Sequence, residues 1–198
     1  MQNMSRSLCM LIYLILSSSF LLSAQTRIAA PSPAQVQTVA SPKIEWLSFE
    51  EALNVNARLS KPKKVFIDVY TDWCGWCKRL DATTFAHPEI VKYMQSNFIP
   101  VKFNAERTDT VRINNQIFVN PSPNTARKGT HEIAAILLKG QMSYPSCTFL
   151  DETGKQLDVI PGYMDVKKFE CLLHYIGEDA YKTVKWEDWV NTFVSHIQ

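Results

Sequence analysis

The spacing of apolar positions changes several times along this chain, and each change marks an element. "VFIDVY" (65–70) is apolar throughout except at Asp68, the pattern of a strand buried on both faces. "IPVKFNAE" (99–106), "SCTFLD" (146–151) and "QLDVIPG" (156–162) read as further strands, and "IEWL" (44–47) as a short one. Helical spacing fills the intervals. Ser48 and Glu51 form a capping box that opens a helix reaching about Leu59, and Lys61 to Lys64 turn into the first long strand. "CKRLDATTF" predicts a helix whose N-terminus lies at Cys74. "HPEIVKYMQSNF" predicts another, with Pro88 in first position and Ile90, Val91, Met94 and Phe98 on one face. "THEIAAILLKG" is a short helix. "DVKKFECLLHYI" carries a stripe of Val166, Phe169, Leu172, Leu173 and Ile176. "VKWEDWVNTFVSHI" closes the chain as a helix in which Trp186, Trp189, Phe193 and Ile197 recur, to cover a sheet face or the preceding helix. "VRI" and "IFV" flank Asn114-Asn115, a hairpin signal, before a proline-rich loop. The order of elements predicts an α/β fold, a mixed sheet with helices on both faces, in one domain over 44–198. Ligands of such sheets gather at the carboxyl ends of central strands, where Cys74 falls.

The first 43 residues have a different character. Arg6 is the one charge before "LCMLIYLILSSSFLLSA", 17 apolar or small residues ending at Ala24. Residues 1–24 have the form of a secretory signal. An uncleaved anchor is the alternative, although the stretch falls below the roughly 20 residues that cross hydrocarbon. In either case the folded part is exported. Residues 25–43, mixing Pro, Ala, Ser and Gln without periodicity, read as a flexible linker. Removal of the signal lowers the formal charge from +2 to +1 and leaves Cys74, Cys77, Cys147 and Cys171. No basic run suits nucleic acid.

Cys74 and Cys77 carry the chemistry. A thiol attacks a disulfide as its thiolate. A helix N-terminus offers unpaired N–H groups and about half a positive charge. This placement predicts Cys74 exposed and attacking, with Cys77 one turn deeper and resolving. Lys78 and Arg79 add a small positive potential. Zinc is the rival reading, yet Cys147 and Cys171 lie 24 residues apart, and His87, His131, His174 and His196 complete no recognisable ligand spacing. No metal is therefore expected. An inert disulfide would stabilise little across so short a loop. Asp68 is expected to be buried, with a raised pKa, beneath the cysteine loop, where it can accept the proton of Cys77 directly or through water. An edge strand with Asp68 facing water is the alternative. Cys171 lies nearly opposite the apolar stripe of its helix, and Cys147 follows Pro145 in a strand, so their orientations disfavour a mutual bond.

"FIDVY", "DWCGWCK", "VKFNAE" and "SYPSCTFLD" together resemble the thioredoxin superfamily, and most of all its exported bacterial members. "TFAHPEIVKYM" and "PGYMDVKKF" resemble the periplasmic thioredoxin-like domain of the membrane thiol–disulfide interchange protein. The resemblance, from about Ile44 to Ile176, implies a thioredoxin fold and a periplasmic thiol–disulfide oxidoreductase without a bound cofactor. Its partners would be protein disulfides and a thiol electron donor in the membrane or periplasm, with reduction the favoured direction. Cys74 matches the nucleophile, Cys77 the resolving cysteine, Asp68 the buried acid and Lys102 the lysine beside it. Pro145 matches the family's cis-proline, and Tyr144 before it would offer main-chain groups to an extended substrate. Trp73, before the first cysteine, and Trp76, between the two, complete the expected substrate-binding set. Two departures stand out. Gly-Trp separates the cysteines where Gly-Pro is commonest, and 43 residues separate Lys102 from Pro145, the excess lying at about 107–129. Residues from about 180 to 198 extend beyond the fold.

Overall fold

The computed structural model describes residues 42–124 and 129–197. The signal and almost all of the linker expected from the sequence lie outside them, as do 125–128 within the insertion. Four strands form the main sheet: β1 (Lys64–Tyr70), β2 (Phe98–Asn104), β5 (Ser146–Leu150) and β6 (Gln156–Pro161), in the order β2-β1-β5-β6. β1 and β2 are parallel, and the β1/β5 and β5/β6 pairs are antiparallel. The expected mixed sheet is present. Helices α1 (Phe49–Arg58), α2 (Gly75–Ala82), α3 (Pro88–Asn97), α4 (Glu132–Leu137), α5 (Val166–Gly177) and α6 (Trp186–Thr192) accompany it, with a separate hairpin of β3 (Val111–Ile113) and β4 (Gln116–Phe118).

Side-chain alternation along β1 divides the core. Val65, Ile67 and Val69 point into a cluster with Phe49, Val101, Phe103, Ile133 and Leu137, under α1 and α4. Phe66 points the other way, into a cluster with Leu80, Ile90, Met94, Phe149, Phe169 and Leu173, under α2, α3 and α5. The Phe66 ring meets those of Phe85, Phe149 and Phe169 at 5.8, 5.3 and 5.5 Å between centroids. Asp68, two residues after Phe66, shares this second face. It is paired in register with Lys102 on β2 and Cys147 on β5. The sheet thereby sets a carboxylate, an ammonium and a thiol side by side beneath α2.

Local chemistry determines the ends of the elements. Ser48 and Glu51 exchange both bonds of the capping box, at 3.2 and 2.9 Å. Asn114 and Asn115 take positive φ values of 48° and 65°, as a two-residue hairpin turn requires. Three expectations are corrected. "IEWL" forms no strand. Only Leu47 bridges β2, through Leu47 N–H to Pro100 O and Lys102 N–H to Leu47 O. α2 ends at Ala82 rather than Phe85, because the Thr83 hydroxyl returns to Arg79 O and that of Thr84 to Met164 O. The last helix stops at Thr192 rather than Ile197. Beyond it Phe193 is extended, and the Ser195 hydroxyl and His196 N–H bind the Glu170 carboxylate. Trp186 and Trp189 still cover the preceding helix, packing on Tyr175 of α5, while Ile197 enters the core below.

Candidate active site

β1 ends at Tyr70, and a short turn delivers the chain to Cys74, the N-cap of α2. Cys74 N–H donates to Thr71 O, and Cys77 N–H donates to Cys74 Sγ at 3.0 Å. A peptide N–H at the positive end of a helix therefore addresses the sulfur, the polarity that stabilises a thiolate. The two cysteines form a disulfide. The exposure expected for Cys74 is not observed, since Cys74 and Cys77 are 4% and 3% exposed. Bulky neighbours flank the pair. Trp73 stands edge-on to Tyr144 at 5.9 Å and donates from Nε1 to Glu106 Oε1, while Trp76 lies against Tyr163 at 5.4 Å. Arg79 stacks over both Trp76 and Tyr163. Trp73 and Trp76 are themselves 66% and 55% exposed, an aromatic rim around a recessed disulfide.

Asp68 is 1% exposed, which removes the water-facing alternative. Burial, opposed by Lys102 and assisted by Asp81, raises its pKa from the ordinary 3.8 to about 6. Its Oδ2 lies 3.2 Å from Lys102 Nζ, while Oδ1 has no hydrogen-bond partner among the described residues. The Lys102 ammonium lies near the rings of Trp46 and Tyr70 and also pairs with Asp81. A cavity of about 380 Å³, lined in part by Trp46, Asp81, Phe85 and Lys102, opens beside this ion chain. Asp68, Lys102 and Asp81 thus run from a buried carboxylate to a half-exposed one. Asp68 makes no direct hydrogen bond to Cys77. Cys147 is fully buried beside Asp68, and burial together with that charge pushes its thiol well above the ordinary value. Cys147 and Cys171 are both unbonded, and Cys171 is buried with its carbonyl held by Trp189 Nε1 of α6.

The Tyr144–Pro145 peptide is cis. Pro145 O accepts from Gly162 N–H, whereas the Tyr144 N–H and C=O have no backbone partner among the described residues. Two neighbours went unpredicted. Asp81 is four residues after Cys77 and so shares its side of α2, a spacing that could have revealed it. Tyr163 carried no signal of its own, because its place depends on how β6 meets α2.

The family model for a thioredoxin-like domain matches residues 49–177. The chain belongs to that family. Over 135 residues it is 24% identical to the disulfide bond reductase DsbH of Chlamydia pneumoniae, covering 68% of this chain and 73% of DsbH. Over 148 residues it is 24% identical to the thiol:disulfide interchange protein DsbD of Salmonella typhi, covering 74% of this chain but only 21% of DsbD. A thioredoxin-fold protein from Helicobacter pylori superposes with a TM-score of 0.48 at 23% identity, over 65% of this chain and 78% of that one. With the Cys74–Cys77 pair in place, this thioredoxin-like protein is a thiol–disulfide oxidoreductase. Among the described residues no helix is long and apolar enough to cross a membrane.

Proposed function

We propose that this protein reduces disulfides in exported proteins, taking electrons from another thiol protein. The observation that carries the reading is the hydrogen bond from Cys77 N–H to Cys74 Sγ at the first turn of α2. In the reduced protein, Cys74 attacks one sulfur of the substrate disulfide. A mixed disulfide forms, and the other substrate sulfur leaves as a thiolate that takes up a proton. Cys77 then transfers its proton through a water to Asp68 and attacks Cys74 Sγ. The second substrate thiolate departs and the Cys74–Cys77 bond closes, so two electrons have passed to the substrate. Lys102 and Asp81 exchange the proton of Asp68 with solvent. Tyr144 offers its free N–H and C=O to an extended substrate strand beside Pro145, while Trp73 and Trp76 supply apolar contact. A relative named for disulfide reduction supports the direction, and the apolar N-terminal stretch supports export.

The reading is tested by insulin reduction together with the reduction potential. A potential near −270 mV, with turnover lost in Cys74→Ser, is expected. A potential near −120 mV would make the protein an oxidant instead.

A further inference from the structure

Away from the disulfide, α5 and the last described residues enclose a second polar cluster. Glu170 and His174 occupy i and i+4 on α5, and the segment after α6 brings His196 against them. One ligand atom from each of the three lies within 4.8 Å of the other two. His196 Nδ1 stands 3.3 Å from Glu170 Oε1. That is about the separation of two ligands on a tetrahedral ion with bonds of roughly 2.0–2.1 Å. The cluster borders a cavity of about 260 Å³ that Tyr93 and Asn97 also line, so a fourth position is open to water.

We propose that Glu170, His174 and His196 bind a divalent transition-metal ion of the zinc type, which staples the C-terminal segment to α5. One carboxylate and two imidazoles form a mixed oxygen and nitrogen set that suits zinc. The supporting contacts are those that such a site uses. Glu178 Oε1 lies 2.6 Å from His174 Nδ1, and a proton held there leaves the lone pair on Nε2 and fixes the ring's orientation as a ligand. Glu170 is oriented by the Ser195 hydroxyl and by His196 N–H at 2.9 Å, and each of its oxygens keeps a further lone pair. The His174 and His196 rings are nearly parallel, 25° apart with centroids 5.1 Å from each other. The ligands are invisible as a sequence motif because 22 residues separate His174 from His196.

Zinc chloride is titrated calorimetrically into the tag-free full chain with Cys74–Cys77 oxidised, so that the active-site thiols cannot bind metal. One ion per chain is expected, with affinity reduced at least about tenfold in His196→Ala. The His196 side chain is 67% exposed, so this variant should fold. Zinc should also slow carboxypeptidase trimming of the C-terminus in the parent chain and not in His196→Ala. Absence of binding, or binding and trimming unchanged by the substitution, would overturn the site.

Discussion

Asp68 shows how one residue connects stability to chemistry. Burial lifts its folded-state pKa from 3.8 to about 6, so between these values the folded protein keeps a proton that the unfolded chain has released. Stability is unimpaired by this group below about pH 4, falls as pH rises towards 6, and stays reduced above. Asp68→Asn should therefore raise unfolding free energy at pH 7.5 by about 2–3 kcal/mol in denaturant titration, a gain that disappears at pH 4. The same variant should slow resolution of a mixed disulfide on Cys74 by about 10²-fold in stopped flow above pH 6, since no carboxylate then accepts the Cys77 proton. Unchanged resolution would remove Asp68 from the proton path. Its burial could be read from the sequence as a lone acid in an apolar run. The burial of Cys74, 4% exposed, could not be read there, since a helix N-terminus alone predicts an exposed sulfur.

At the scale of elements, β1 and α2 hold the site. Phe66 anchors β1 to both α5 and the loop after α2 through Phe169 and Phe85. Phe66→Ala should cost about 3–5 kcal/mol by denaturant unfolding, because the surrounding rings cannot close the cavity it leaves. Ser48→Ala, which removes one half of a capping box, should cost about 1 kcal/mol in the same assay. Strands and caps were legible because their signals are local: alternation, Ser48 with Glu51, Asn114 with Asn115. Helix ends were less so. The apolar period of the C-terminal segment continues to Ile197, yet α6 stops at Thr192, because Glu170 on a different element takes up Ser195 and His196. A distant carboxylate outweighs a local period there.

For the whole molecule, the sheet order β2-β1-β5-β6 sets Asp68 beside Lys102 and beside the strand that follows Pro145, with Cys74 four residues beyond the end of β1. Their roles were expected from likeness to thioredoxins. Their proximity is a result of register, with Asp68 opposite Lys102 on one side and Cys147 on the other. Asp81 could have been read from its spacing after Cys77, whereas the place of Tyr163 depends on how β6 meets α2. In the proposed reaction Cys74 forms a mixed disulfide with the substrate protein and Cys77 releases it. Reduced Cys77→Ser protein mixed with insulin and analysed by mass spectrometry tests it most directly. One insulin molecule disulfide-linked to Cys74 is predicted, whereas an adduct on Cys147 or Cys171, or none at all, would contradict this order of attack and release.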